Sequence, residues 1–395
     1  MLKAGGLLMK QHLVLVGGGH AHMTVMQRLA DFVSRGHRVS LVSPAPYHYY
    51  SGMGPGMLGG TYRPQQIRFH VRRMVGDRGG DFIEGSVVHI DAQQRKLRLD
   101  TGQEVAYTVA SFNTGSGVPL ERIGATGGDV LPVKPIHNLL SVRREMKERL
   151  PGENLRMLVV GGGAAGVEIA GNLWRLAKEI GGAADITLIA GERLLGRFSA
   201  KVRRLAMASL KDRGILVREG VHVLSAAEGS AVLDDGSELP YDLALSASGV
   251  QPSGIFRASG LPVGPDGGLL VNGSLQSVAY PDLFGGGDCI SFQERPLDKV
   301  GVYAVRENPI LYRNLMAALE GQPLMRFSPQ KRYLLILNMG DGSGILAKGS
   351  LAFQGRWAFR FKDWIDRRFM ARFQLSGELG NHDPEIDETT QEKDI

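Results

Sequence analysis

The residues best placed to do chemistry in this chain are glycines. Gly17, Gly18 and Gly19 follow an apolar run at 13–16 and precede Met23, Met26, Leu29, Ala30 and Val33 at helical spacing. Strand, tight turn and helix in that order point backbone N–H groups and the positive end of a helix at one spot, where a pyrophosphate can sit. Gly17 and Gly19 fit the first two positions of G-x-G-x-x-G, but His22 holds the third. A residue of that size must push helix and strand apart or turn outward. The segment LRMLVVGGGAAGVEIAGNL at 155–173 repeats the unit with Gly161, Gly163 and Gly166 all in place. Two such units imply two dinucleotides and electron transfer between them.

Other candidates lie around these turns. Ser43 ends the second strand, RVSLVS, where an acid usually holds the adenosine ribose. The ribose is then held by weaker hydrogen bonds, or the nucleotide chiefly through its phosphates. In the second unit Glu192 follows the corresponding strand and can take a ribose diol, which leans toward NADH; Arg193 beside it can equally pair with a 2′-phosphate. Gly115 in ASFNTGS and Gly249 in YDLALSASGVQP each close a strand with a tight turn. Gly287 and Asp288 stand at another strand end, in GGGDC. His20 and His22 make an unpromising metal pair at i,i+2 with no third ligand nearby, and read as turn and packing residues.

These pieces need a scaffold of parallel sheets, and the order of elements supplies one. The fold class is α/β, with two Rossmann-like dinucleotide-binding domains, the second inserted in the first, and a small C-terminal α+β module. The expected division is 10–120 with 253–321 for the first domain, 121–252 for the second with its linker helix, and 322–377 for the module. Residues 378–395 read as an acidic, disordered tail. Residues 44–62 read as a shaped loop, 68–75 as helix, and a proline-started helix is expected from Leu131.

Composition narrows the class. The 395 residues carry 54 glycines without period, a net charge of +6 and one cysteine, Cys289. One cysteine excludes an active-site dithiol. No apolar run is long enough to span a bilayer, and the start at 1–11 is too short for a signal peptide. A reducing cytoplasmic setting is expected, with no motif for nucleic acid. At 356–373, Trp357, Phe361, Trp364, Ile365, Phe369 and Phe373 line one helical face. Arg356, Arg360, Lys362, Arg367, Arg368 and Arg372 flank it with Asp363 and Asp366. Such a face suits the inner surface of a cell membrane, the protein's own core, or a second subunit in a homodimer.

Taken together, LVLVGGGHAH, YYSGMGPGMLGGTY, NTGS, LPVKP, GGGDC and the segment from Lys299 to 342 resemble the flavoproteins with two dinucleotide-binding domains. Within these the chain resembles the branch of type II NADH dehydrogenases and sulfide:quinone oxidoreductases. It is also similar to the flavoprotein domain fused in some bacteria to selenophosphate synthetase, without a synthetase segment. The resemblance runs from about Leu13 to Phe373. It implies FAD and NAD(P)H as cofactors. Gly17, Gly18 and Gly19 would hold the FAD pyrophosphate, Asp288 would accept from the ribityl chain or its phosphate side, and the helix beginning near Lys299, with Val300 at its start, would face the flavin pyrimidine. Gly161, Gly163, Gly166 and Glu168 would serve the nicotinamide; Glu168 is otherwise a solvated helix charge. Tyr50 and Met53 would floor the substrate side of the flavin. Lys134 would lie near flavin N5 or O4, or be a solvated lysine at a helix start.

Two departures bear on function. Disulfide reductases and sulfide:quinone oxidoreductases need cysteines facing the flavin, and Cys289 alone does not meet that need. The glutamines of a type II dehydrogenase quinone site are replaced by the stretch 301–306, leaving an apolar slot near Val302 and Tyr303 for a quinone. The expected function is therefore FAD-dependent oxidation of NAD(P)H, with electrons passed to a quinone or other small acceptor. The alternatives are a selenium- or sulfur-linked flavoprotein working with a selenophosphate synthetase partner, and a protein that keeps FAD as a structural or sensing ligand.

Overall fold

A computed structural model describes residues 11–125 and 130–379. The expectations for residues 1–10 and for the tail at 380–395 lie outside the described residues.

Two five-stranded parallel sheets carry the molecule. In the first, the spatial order is Leu283–Gly285, Val109–Phe112, His12–Val16, Arg38–Ser43 and Asp81–Glu84. In the second it is Val130–Pro132, Leu243–Ser246, Leu155–Val160, Ala184–Ile189 and Leu216–Arg218. Each sheet centres on its glycine-bearing strand, buried from Leu13 to Val16 and from Met157 to Val160, which is why those stretches read as apolar runs. Each chain half then makes an antiparallel three-stranded excursion before its exit strand. These are Val87–Asp91, Lys96–Leu99 and Glu104–Ala106 in one, and Val223–Ala227, Ser230–Leu233 and Glu238–Pro240 in the other. The 20-residue helix Gly301–Glu320 lies behind the first sheet.

Several local expectations are corrected. Residues 44–62 are ordered elements, not loop: a strand Tyr47–Tyr49, a 3-10 turn Ser51–Met53 and a helical turn Gly54–Leu58 with Pro55 in its first turn. The glycines there allow close packing, since a Cβ on Gly56 would lie 2.5 Å from the Tyr62 ring. The segment at 68–75 opens as a strand, Arg68–His70, paired antiparallel with Tyr47–Tyr49; helix starts only at Val71. Three residues cannot show a period, so composition gave no warning. At Leu131 the chain is also strand, Val130–Pro132, and helix begins at Asn138. Pro135 keeps Lys134 out of helical conformation.

The helix after the first glycine turn is broken. A 3-10 turn His20–His22 leads into Met23–Gln27, Arg28 interrupts, and Leu29–Ser34 resumes. Its buried face is Met23, Met26, Leu29 and Phe32, while Ala30 and Val33 are exposed. After the second turn, Ala164–Ile180 runs 17 residues unbroken.

At the C-terminal end, Leu335–Asn338, Gly344–Lys348 and Leu351–Gly355 form an antiparallel sheet ahead of the helix Arg356–Phe373. This module docks on the Ala164–Ile180 helix at Gly171, where a Cβ would meet the Met339 carbonyl at 2.5 Å. Glu378 is buried, its carboxylate accepting from His70 N–H at 3.2 Å and Ser376 N–H at 3.0 Å.

Candidate active site

The first glycine turn is tied to two distant loops through one side chain, Asn113. Its Oδ1 accepts from the Ala21 N–H at 3.0 Å and its Nδ2 donates to the Gly286 carbonyl at 2.6 Å. A Cβ on Gly17 would lie 2.4 Å from the Asn113 carbonyl, and one on Gly19 2.1 Å from Asn113 Oδ1. Gly17 also needs a positive φ of 85°. These glycines are therefore demanded by close approach to the Asn113 segment at the strand end. Sequence reasoning passed over Asn113 because only the folded chain puts NTGS between the two glycine loops.

His22 neither wedges nor turns outward as expected. It is buried and folds back: its Nδ1 lies 2.7 Å from the Gly17 carbonyl and its Nε2 2.8 Å from Ser111 Oγ. A carbonyl only accepts, so Nδ1 carries the proton and Nε2 accepts from the hydroxyl. Burial pushes its pKa down to about 4, which keeps the ring neutral.

The second turn follows the glycine rule closely. A Cβ on Gly166 would lie 1.8 Å from the Gly161 carbonyl, and one on Gly161 2.5 Å from that of Ala247. Gly163, by contrast, faces open space at the start of the Ala164–Ile180 helix. An open glycine before an unbroken helix is a cradle for a phosphate. The donor sets at both turns thus fit a dinucleotide diphosphate. Gly115 and Gly249 hold positive φ values of 71° and 83° at the two strand exits. The exits are joined by paired backbone hydrogen bonds between Gly117 and Gln251, both at 2.9 Å.

Between the turns lie the charged candidates. Asp288 Oδ2 accepts from Lys134 Nζ at 2.7 Å and from Ser116 Oγ at 2.8 Å, so Lys134 is not a solvated lysine. Behind them Glu307, 1% exposed, accepts from the Gly287 N–H at 2.5 Å. Burial pushes its pKa up to about 8. Cys289 is buried, with Sγ 3.4 Å from the Phe112 and Gly286 carbonyls and a thiol pushed up to about 11 by burial. Such a thiol is inert at neutral pH. Val300 caps the Gly301–Glu320 helix, whose first turn carries no acid; Ser51 Oγ lies 3.9 Å from the place a Gly301 Cβ would take.

Tyr50 packs against the C-terminal helix, and Met53 is buried beside it, its N–H donating to the Tyr50 carbonyl at 3.1 Å. The Tyr50 ring stacks on Phe369 with centroids 4.9 Å apart, and its hydroxyl donates to Asp366 Oδ1 at 3.0 Å. Lys362 Nζ donates to Asp366 Oδ2 at 2.6 Å and to the Gly52 carbonyl at 2.5 Å. Burial works against the lysine's charge, but Asp366 and Glu168 outweigh it and hold its pKa above the ordinary value. Lys362 and Asp366 therefore face inward, correcting their placement on the rim of an apolar face. Glu168 is not a solvated helix charge either: its Oε1 accepts from the Asn338 N–H at 2.7 Å. Burial raises its pKa to about 7, opposed by Lys362.

The remaining candidates stand apart from this seam. Glu192 is exposed in the turn after Ala184–Ile189. Ser43 is buried and its hydroxyl donates to the Ala45 carbonyl at 3.0 Å. Tyr303 is buried, its hydroxyl directed at the Gln330 carbonyl at 3.3 Å and its ring against Tyr333. The apolar face of the C-terminal helix is split. Phe373 is buried and Phe369 packs inward, whereas Trp357, Phe361, Trp364 and Ile365 are exposed, Trp357 at 72%.

Two glycine turns aimed at dinucleotides, with a charged seam between them, define an oxidoreductase plan. Residues 11–310 match the family model of pyridine nucleotide-disulphide oxidoreductases, and the chain belongs to that family. Its cofactors are FAD and NAD(P)H. The chain is 25% identical to the type II NADH:quinone oxidoreductase of Staphylococcus saprophyticus, over 93% of this chain and 96% of that protein. It is 24% identical to the demethylphylloquinone reductase of Synechocystis sp., over 94% and 97%. The structure of NDH2 from Plasmodium falciparum in complex with NADH shares the fold, with a TM-score of 0.77 at 15% identity over 94% of this chain and 98% of that one.

Proposed function

We propose that this protein oxidises NADH or NADPH and passes the electrons through FAD to a quinone, at a membrane surface. The observation that carries the reading is the double duty of the Arg356–Phe373 helix. Its inner face places Lys362 and Asp366 against Tyr50 and Gly52, and its outer face offers Trp357, Phe361, Trp364 and Ile365 to the surroundings. An apolar acceptor dissolved in lipid reaches such a site from the side on which the helix docks. Relatives whose names specify quinone or phylloquinone as substrate support the same acceptor.

The chemistry that bound FAD would supply is hydride acceptance from the nicotinamide and release of two electrons to the acceptor. The chain's own residues bind, orient and supply protons. Gly17, Gly18, Gly19 and Asn113 would hold the flavin diphosphate, with Gly115, Gly287 and Asp288 closing the ribityl side. Asp288 holds Lys134 in place as a fixed positive charge. Val300 would start the helix that faces the flavin pyrimidine, and Tyr303 would line the apolar slot. Gly161, Gly163, Gly166 and Gly249 would hold the nicotinamide dinucleotide, with Glu192 at its ribose; Ser43 would contact the flavin nucleotide's ribose. Glu168, with a pKa of about 7, keeps a proton available to a quinone on reduction. A selenium- or sulfur-linked role has no residue in its favour, because the single thiol is buried and protonated.

Among the described residues no helix is long and apolar enough to cross a membrane, so attachment would be peripheral. Arg360 and Arg368 cover the Trp357 and Trp364 rings at 5.5 Å each, leaving cations beside the exposed face for anionic headgroups. Two measurements test the proposal. Anaerobic turnover with a soluble quinone should consume one NAD(P)H per quinone; turnover indifferent to quinone would refute the acceptor. Flotation with anionic vesicles should carry the wild type and lose a Trp357→Ser, Trp364→Ser double variant. No flotation, with a dimer in sedimentation, would assign the apolar face to a homodimer instead.

A further inference from the structure

Glu219 has no part in the electron transfer, yet it holds the loop that carries Glu192. The segment 191–195 follows the strand Ala184–Ile189 and is fixed at three points. The Gly191 carbonyl accepts from the Gly220 N–H at 2.8 Å, and the Leu194 N–H donates to Glu219 Oε1 at 2.6 Å. The Leu195 N–H then donates to the Gly162 carbonyl at 2.7 Å, which ties the loop to the second glycine turn. Glu192 and Arg193, both exposed, lie between the first of these bonds and the second.

Glu219 is itself held. It stands just past the strand Leu216–Arg218, and Arg203, on the helix Ala200–Lys211, donates through Nη2 to both of its oxygens at 2.9 and 2.7 Å. Burial opposes its ionisation, but Arg203, the Leu194 N–H and the nearby charge of Arg193 outweigh it and hold the carboxyl below its ordinary value. The charge of Arg193 is thus answered in part within the clamp. Leu195 has a φ of 49°, in the left-handed region that a leucine rarely enters, so the loop keeps this shape only while its bonds hold it. The fit against the glycine turn is close: a Cβ on Gly162 would lie 2.4 Å from the Ala190 carbonyl.

We propose that Glu219 is a positioning residue for the nicotinamide dinucleotide: it fixes the loop so that Glu192 meets the adenosine ribose diol, which gives a preference for NADH over NADPH. This rests on the reading that Glu192 stands at that ribose. A carboxylate held there accepts from both ribose hydroxyls, whereas a 2′-phosphate brought to the same place meets a like charge that the loop cannot swing aside. Without the clamp both effects fade, because Glu192 would have to be ordered on binding.

The test is calorimetric titration of the full-length, flavin-loaded protein with NAD+, NADP+ and nicotinamide mononucleotide. These oxidised forms bind without turnover, and the last lacks adenosine. The wild type should bind NAD+ at least about tenfold tighter than NADP+. Glu219→Ala should weaken NAD+ about tenfold, bring it level with NADP+ and leave the mononucleotide unchanged. Glu219→Gln, which keeps an acceptor for the Leu194 N–H, should recover part of the loss. In steady state Glu219→Ala should raise the KM for NADH with kcat unchanged. Glu192→Ala should match Glu219→Ala, and the double variant should be no worse than Glu192→Ala alone, because one residue acts through the other. A wild type that binds NADP+ as tightly as NAD+, equal losses for all three ligands, or losses that add in the double variant would overturn the proposal. Wild-type NAD+ affinity in Glu219→Ala, with a loss in Glu192→Ala, overturns the clamp alone. Unchanged NAD+ binding in Glu192→Ala removes the ribose reading and the proposal with it. Should Glu219→Ala fail to fold by circular dichroism, Glu219→Asp keeps the charge for Arg203 but withdraws the oxygen from Leu194, and the same ligands and outcomes decide.

Discussion

The two nucleotide units solve one packing problem in different ways. In both, a central strand ends in a glycine of positive φ, Gly17 or Gly161, whose own N–H bonds the neighbouring strand at 2.8 Å. They part at the third motif position. In the second unit Gly166 lets helix and strand touch, at a separation no Cβ could share. In the first, the 3-10 turn His20–His22 opens the geometry enough for His22, whose ring bonds back to Gly17 and Ser111. The glycine thus goes with a long unbroken helix, and the histidine with a shorter, interrupted one. A motif of spaced glycines is one answer to close approach; a side chain folded onto its own turn is another.

The largest expected effect comes from removing the close approach in the second unit. Gly166→Val should destabilise the protein by roughly 3 kcal/mol and raise the KM for NAD(P)H at least about tenfold, through overpacking. Flavin content should be unchanged. Thermal melts, steady-state kinetics and the visible spectrum check the three parts. If flavin is lost as readily as nicotinamide binding, the units are not separate.

Next come two carboxyls whose pKa values burial raises, Glu307 in the first unit and Glu168 in the second. Glu307 has a folded pKa of about 8, above its ordinary value of 4.5. The folded state therefore holds a proton the unfolded chain has lost, and the stability it carries declines as pH rises from about 4.5 through 8. Glu307→Gln should remove a few kcal/mol of that decline, at about 1.4 kcal/mol per pK unit. Melts at pH 5 and pH 9 measure it, with the variant relatively more stable at pH 9. Glu168→Gln should instead flatten the limb near pH 7 in quinone turnover, which Glu307→Gln should leave in place.

Smaller effects sharpen the contrast. His22→Ala leaves the Gly17 carbonyl and Ser111 without partners and should cost about 2 kcal/mol, with partial loss of flavin on gel filtration. Ser199 accepts from the Val202 N–H at the start of Ala200–Lys211, in the second unit. Ser199→Ala should cost about 1 kcal/mol without touching flavin content.

What could be read in advance follows the same division. Both glycine turns, the start of the Gly301–Glu320 helix and the apolar central strands are local patterns, and the sequence carries them openly. Arg68–His70 was not legible as strand, because its pairing with Tyr47–Tyr49 is made in space rather than by a period. Lys362 and Asp366 looked like solvated rim charges because helical spacing places them beside aromatic residues. Only docking of the C-terminal module turns them toward Tyr50. Asn113 lacked any signal of its own, since its role depends on partners from distant loops.

The central claim is that a flavin held by the first unit is reduced by a nicotinamide held by the second. Anaerobic rapid mixing of the flavin-loaded protein with NADH and NADPH, followed at the visible flavin band, tests it most directly. The band should bleach at once with at least one nicotinamide and return on addition of a soluble quinone. A band that neither nicotinamide alters would contradict the account.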